Sequence, residues 1–238
     1  MVKQIIILFC LLLPGVINGA SGPYGTFFEA GGGVTVNKGN TDKLGVNGSL
    51  DFKKVTPVLK LLISLNQYYN ETKGVKNVNK GDLTVKCDYD ITLNEQLFIF
   101  FIPSYNEFQD LKLRTQTGTG IKHTFYKNST MDYSVSAAVL YETKEYLKNK
   151  EKGYLGRLSV RPKIKINFNK NVFFLVFFYQ PQITNFNDYR ILGTATVKFF
   201  ITEHLFFEVN VKDEYNNIVP DDIMRNDFTS YSGIKIKF

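Results

Sequence analysis

Between Tyr154 and Phe168 the chain alternates strictly. Tyr154, Gly156, Leu158, Val160, Pro162, Ile164, Ile166 and Phe168 fall on one face of an extended strand, while Arg157, Arg161, Lys163, Lys165 and Asn167 fall on the other. The run is far longer than an ordinary soluble strand of about 5–6 residues. If it crosses a bilayer, turning its cations toward lipid costs about 2–4 kcal/mol each near the midplane, so the basic face must line an interior. The same period recurs at Leu83, Val85, Cys87, Tyr89 and Ile91 against Asp82, Thr84, Lys86, Asp88 and Asp90, and again from Met131 to Glu142.

From Tyr24 onward no helical period of useful length is present. Runs of strand character are predicted at 24–37, 43–54, 58–71, 81–93, 97–108, 111–126, 131–145, 153–168, 171–185, 189–202, 205–216 and 226–238. Each is long enough for a tilted membrane strand, which needs about 9–11 residues in the apolar zone. The fold class that follows is all-β: an antiparallel, up-and-down transmembrane β-barrel of about twelve strands over 21–238. In 97–108 and 171–185 both faces are partly apolar, and the pattern alone does not choose the inward set.

The connections supply a second test. Those after even-numbered strands are short, at 55–57, 94–96, 127–130, 169–170 and 203–204, and the three longest, near 72–80, 146–152 and 217–225, all follow odd-numbered strands. A barrel with both termini on the periplasmic side sorts its connections this way. The last strand ends Ser232-Gly233-Ile234-Lys235-Ile236-Lys237-Phe238, in which Gly233, Ile236 and Phe238 resemble the assembly signal of bacterial outer-membrane barrels.

At the other end, Lys3, the apolar run Ile5–Leu13, the break Pro14-Gly15 and the small residues Asn18-Gly19-Ala20 read as a signal peptide over 1–20. The apolar run is too short to span a bilayer as a helix. Cleavage removes Cys10 and leaves Cys87 alone, so neither an intrachain disulfide nor a cysteine-rich metal site is expected. The formal charge of +7 is spread along the chain, with no basic helix or aromatic-basic platform to focus it, so nucleic acid is not an expected partner. A mean hydropathy of −0.13 is too polar for a helical membrane protein and suits a barrel whose strands are half lumenal.

One hairpin unit recurs: Pro103 and Pro181 each precede an aspartate, Asp110 and Asp188, at the same spacing, and Arg114 and Arg190 follow on the same strand face as their aspartates. Together with Lys38-Gly39-Asn40-Thr41-Asp42, the tips Phe108–Arg114 and Phe186–Arg190 and the closing strand, this resembles the YdiY-like outer-membrane family (domain of unknown function 481), which includes proteins described as salt-induced. The resemblance runs from about Gly31 to Phe238. It implies an outer-membrane β-barrel and carries no agreed activity, so no catalytic residue is transferred.

By parity the lumen should hold Arg114, Arg157, Arg161, Lys163, Lys165, Arg190 and Lys198 together with Asp88, Asp90, Asp132, Glu142 and Glu208. These are the pore-lining candidates. They suit either a neutralised plug or a narrow pore biased toward small anions, since rows of charged side chains set selectivity in such pores. His123 and His204 both fall near short turns, away from the outer end where a general base would be useful, and no enzyme activity, cofactor or metal is expected. Asp221-Asp222 with Asp213, Glu214 and Asp227 reads as a solvated acidic loop, and Gly31-Gly32-Gly33 as close packing of the first strand. The expected partners are outer-membrane lipid, the barrel-assembly machinery during biogenesis and a small anionic solute. The rival readings are a surface binding module acting through the long loops and a soluble barrel with its faces reversed around an apolar ligand.

Overall fold

Every long alternating run becomes a strand of one closed sheet. The computed structural model describes residues 24–38, 43–72, 75–148, 152–219 and 224–238. Its strands are β1 (Gly25–Lys38), β2 (Lys43–Val55), β3 (Leu59–Thr72), β4 (Val75–Asp90), β5 (Glu95–Asn106), β6 (Leu111–Lys127), β7 (Met131–Tyr146), β8 (Lys152–Phe168), β9 (Asn171–Pro181), β10 (Tyr189–Phe200), β11 (Leu205–Asn216) and β12 (Asn226–Lys237). Each pairs antiparallel with its sequence neighbours, and β1 returns to β12 to close the barrel. The signal-peptide segment lies outside the described residues, as does Asp221-Asp222.

Two boundaries differ most from the sequence expectation. The segment 72–80 is not a long loop, because β4 already starts at Val75 and its polar residues extend the ladder, Asn79 opposite Tyr69 and Lys80 opposite Tyr68. Polar composition there marks a strand that continues beyond the apolar zone rather than a break. Conversely, β9 stops at Pro181, short of 185. Proline has no N–H to donate, and beyond it Gln182 makes only an isolated bridge to Arg157 before the 182–188 loop.

The connections 56–58, 91–94, 128–130, 169–170 and 201–204 lie at one end, called here the turn end. Threonine or asparagine caps most of them: Thr92 Oγ1 accepts from the Glu95 N–H at 3.0 Å, Asn128 Oδ1 from the Met131 N–H at 2.7 Å, and Thr202 Oγ1 from the Leu205 N–H at 2.9 Å. The loop end is tied across hairpins. The Lys148 N–H donates to Asp110 Oδ1 at 3.1 Å, and Asn79 and Lys76 both donate to Glu107 Oε2, at 2.8 and 3.0 Å. Those two hydrogen bonds hold the Glu107 carboxyl below its ordinary range.

Outward positions are apolar around the wall: Leu97, Ile99 and Phe101 on β5, Val139 on β7, Leu175 and Phe177 on β9, Ile234 and Ile236 on β12 are all exposed. An apolar belt this continuous is not sustained against water and fits hydrocarbon. Toward the loop end it gives way to tyrosine pairs, Tyr141–Tyr154 with ring centroids 6.3 Å apart and Tyr179–Tyr189 at 5.8 Å, which suit the level of headgroups.

The ambiguous strands β5 and β9 turn Phe98, Phe100, Ile102 and Phe178 inward. On β5 the reason is on the neighbouring strand. Phe98 stands opposite Gly120 and Phe100 opposite Gly118, and a methyl group at either glycine would meet the ring edge, at 2.7 Å for Phe98 Cζ and 2.6 Å for Phe100 Cζ. The glycines thus let two aromatic rings lie flat against the wall.

The seam has its own glycine pair, Gly33 opposite Gly233. A Cβ on either would press into the partner's backbone, with the Cα of Gly233 only 2.7 Å from a Cβ at Gly33, whereas a Cβ at Gly48 meets nothing within 4 Å. Gly33→Ala should therefore cost about 1–3 kcal/mol and Gly48→Ala almost nothing. The check is the urea midpoint of the refolded barrel, followed by its gel-mobility shift; equal midpoints for the two variants would contradict this packing.

Candidate functional site

The chemistry of this barrel is in its lumen, where a cavity of about 580 Å³ runs from the loop end toward the turn end. Its walls carry seven cations, Lys80, Lys86, Arg114, Arg161, Arg190, Lys212 and Lys235, against the five carboxylates of Asp51, Asp82, Glu208, Glu214 and Asp227. The balance of the wall is positive, and where each charge is spent depends on its level in the barrel.

At the loop end the centre is Glu142, which is 0% exposed. Its carboxylate meets Lys144 Nζ at 3.3 Å, Arg157 Nε at 3.4 Å and Arg190 Nη1 at 3.5 Å, and accepts from Gln116 Nε2 at 2.9 Å. Arg157 also donates to the Asp188 carboxylate at 2.9 Å and to the Gln180 and Asp188 carbonyls, both at 3.1 Å. Nearby, Glu214 pairs with Lys212 at 3.4 Å and Arg114 at 3.8 Å. The six strands β6 to β11 and the 182–188 loop converge on this cluster. The two tip aspartates of the recurring hairpin therefore have different tasks: Asp110 joins two loops, while Asp188 holds Arg157.

Midway, a ladder of pairs crosses β10, β11, β12, β1 and β2. Lys198 meets Glu29 at 3.1 Å and Glu208 at 3.6 Å, and Lys235 meets Glu208 at 3.1 Å and Asp51 at 3.6 Å. Opposite this ladder the wall is aromatic. Arg161 lies between the Phe98 and Phe178 rings, its guanidinium carbon 6.0 and 5.6 Å from their centroids, and Lys86 stands over the Phe98 ring at 4.7 Å. The polar contact of Arg161 is a 3.4 Å hydrogen bond from Nη2 to Ser136 Oγ, while its Nε is buried with no partner.

Toward the turn end, Asp88 pairs with Lys86, and Asp90 pairs with Lys60 at 3.4 Å. Lys163 and Lys165 lie over the Phe174 ring at 5.6 and 5.8 Å.

The residues singled out by parity are thus distributed over three levels. Arg114, Arg161, Arg190 and Glu208 border the cavity; Arg157 and Glu142 sit buried beside it; Lys198, Asp88, Asp90, Lys163 and Lys165 lie outside its lining. Lys86, Lys212, Glu214 and Lys235 were missing from the expected set although each lies on the inward parity of its strand. Phe98 and Phe178 were also missing; the signal that could have exposed Phe98 is the Gly118-Thr119-Gly120 spacing on the adjoining strand. His123, with Nδ1 3.3 Å from Glu95 Oε1, faces outward at the turn end, and His204 Nδ1 lies 3.1 Å from the Lys237 carbonyl oxygen. Gly233 packs in the seam, and Ile236 faces outward. The Phe238 N–H donates to the Phe28 carbonyl at 2.8 Å. Among the described residues no group of histidine, cysteine and carboxylate side chains could hold a metal ion.

A closed, up-and-down antiparallel barrel with an apolar exterior and a charged, partly hollow interior is a pore-like β-barrel. The chain belongs to the DUF481 family, described as proteins of unknown function, whose model matches residues 30–238. No curated protein matches its sequence. Among solved structures the barrel is similar to the NanC porin, with TM-score 0.60 and 7% identity over 89% of this chain and 100% of that one. It is also similar to the KdgM porin in complex with disordered oligogalacturonate, with TM-score 0.51 and 8% identity over 90% of this chain and 99% of that one. A third is the translocator domain of the autotransporter NalP from Neisseria meningitidis, with TM-score 0.53 and 9% identity over 99% of this chain and 94% of that one. At these identities the likeness is one of fold.

Removing one charge from the Glu142 cluster leaves several buried cations uncompensated. Glu142→Gln should destabilise the barrel by about 3–5 kcal/mol, read as a lowered urea midpoint in detergent or lipid. A midpoint equal to the parent's would mean that the cluster is not structural.

Proposed function

We propose that this chain is a passive β-barrel of the bacterial outer membrane, inserted after export, whose lumen is a narrow pore for small solutes with a bias toward anions. The observation that carries the reading is Arg161: a cation on the cavity wall, flanked by two aromatic rings, with a buried Nε that bonds to nothing in the protein. The guanidinium makes one 3.4 Å hydrogen bond and no ion pair among the described residues, so its charge is left for an anion in the cavity to meet. Arg157, on the same face of the same strand, is unsuited to that task because Glu142 and Asp188 already hold it. The solved complex of the KdgM porin with an oligogalacturonate is an example of a similar barrel meeting a carboxylated solute.

The rival reading, a surface binding or assembly module acting through the long loops near 72–80, 146–152 and 217–225, has less support. Residues 75–80 belong to β4, the Lys148 N–H is held by Asp110, and Asn217 donates to the Asn187 carbonyl. The tip 107–110 and the 182–188 loop are tied to neighbouring hairpins or to the lumen cluster by hydrogen bonds and ion pairs. Enzymatic chemistry is likewise unsupported, since both histidines lie at the turn end and neither borders the cavity.

Single-channel recording from refolded protein in planar bilayers should show discrete conductance with a preference for chloride over potassium. Arg161→Gln should reduce that preference about fivefold, equivalent to about 1 kcal/mol, and Arg161→Lys should keep most of it. Conductance with a preference untouched by Arg161→Gln would overturn the role of Arg161. Folded, inserted protein that never conducts would overturn the pore.

A further inference from the structure

Most inward cations spend their charge on a nearby carboxylate, but several lysines at the turn end do not, and four of these lie over aromatic rings. Lys53 on β2, Lys237 on β12, and Lys163 and Lys165 on β8 form no ion pair among the described residues. Carboxylates at this level are engaged elsewhere, Glu29 by Lys198 at 3.1 Å and Asp90 by Lys60 at 3.4 Å. Asp132 stands opposite Lys165 in the β7–β8 ladder and still forms no ion pair with it.

These lysines are arranged in two matched pairs. Lys53 and Lys237 share the Phe27 ring, at 5.9 and 5.4 Å from its centroid, and Lys163 and Lys165 share the Phe174 ring, at 5.6 and 5.8 Å. Each ring holds two ammonium groups near one another, although alone they would separate into solvent. In the closed strand order β2 and β8 stand on opposite sides of the barrel, so the two pairs face one another across the turn-end mouth. Lys53 is exposed and the other three are half-buried, so the groups can be reached from water at the turn-end mouth.

Like charges held in place by rings on two facing walls, none of them in an ion pair among the described residues, match an anion that carries several charges along its length. We propose that the turn-end mouth of the lumen is a binding site for a soluble multivalent oxyanion, such as a polyphosphate or polycarboxylate, bridging the Lys53–Lys237 and Lys163–Lys165 pairs. A monovalent anion would neutralise one wall only, and the neutral phenyl edges give no further acceptor or donor. The site needs a folded barrel with a wet mouth and does not depend on conduction, so it stands or falls apart from the pore reading.

The test is isothermal titration calorimetry of inorganic triphosphate into the full-length barrel folded in neutral detergent at low ionic strength. Saturable binding near one per barrel is expected. It should weaken by about tenfold or more in Lys53→Gln/Lys165→Gln and remain unchanged in Lys112→Gln, which alters an exposed lysine at the loop end. Folding of each variant is verified by gel-mobility shift. A second readout needs no variant: triphosphate should protect Lys163 and Lys165 of the parent from acetylation, as mapped by mass spectrometry, while Lys112 stays reactive. Absence of saturable heat, or equal protection of Lys112 and the turn-end lysines, would overturn the site. Binding by a barrel that fails to conduct would keep the site and remove the pore.

Discussion

A sheet in hydrocarbon cannot leave an edge unpaired, because each bare N–H or C=O there costs several kcal/mol. The β1–β12 seam is therefore the contact on which the other strands depend. It is built from a long register running from Glu29 opposite Lys237 to Lys38 opposite Phe228, with the Gly33–Gly233 pair allowing the two backbones to approach. Once that ladder is made, strand parity is set around the whole wall and every side chain is assigned to lipid or to lumen.

The lumen then has to accommodate more charge than a small barrel can hydrate freely. It does so by level. Near the loop end, buried Glu142 collects cations from several strands; midway, Glu208 and Asp51 share Lys198 and Lys235. These groups act as crosspieces that tie strands up to three places apart in the wall, and they occupy space that a wide channel would leave empty. What is left over is positive: Arg161 beside the cavity and the lysines over Phe27 and Phe174 near the turns. The rings matter because they fix cations in place without neutralising them.

Much of this was legible from residue order. A period of two over Tyr154–Phe168 admits one local structure, and the cost of charge in lipid chooses its inward face, so fold class and strand number followed from elementary considerations. The start of β4 was hidden because Asn77, Asn79 and Lys80 resemble a loop, and only cross-strand pairing with β3 shows that the ladder continues past the apolar zone. The faces of β5 became decidable only through Gly118 and Gly120 on another strand. Who meets whom across the lumen was beyond reach, since it depends on shear and tilt. Arg157 and Arg161 look equivalent in the sequence, yet one is held by two carboxylates and the other is left with an open donor.

The central claim is the assignment of faces: apolar side chains to lipid, charged ones to a wet interior. It is tested most directly by single-cysteine scanning along β8 from Tyr154 to Phe168, in a background where Cys87 is replaced, with the protein in lipid vesicles. Labelling by a charged, membrane-impermeant thiol reagent should be compared with quenching of a thiol-attached fluorophore by lipid-borne bromine. Cysteines replacing Ser159, Arg161, Lys163 and Lys165 should react with the aqueous reagent, and those replacing Leu158, Val160, Ile164 and Ile166 should be quenched by the lipid. A reversed phase, or quenching at no position, would contradict a membrane barrel with a charged lumen and favour a water-soluble barrel closed around an apolar ligand.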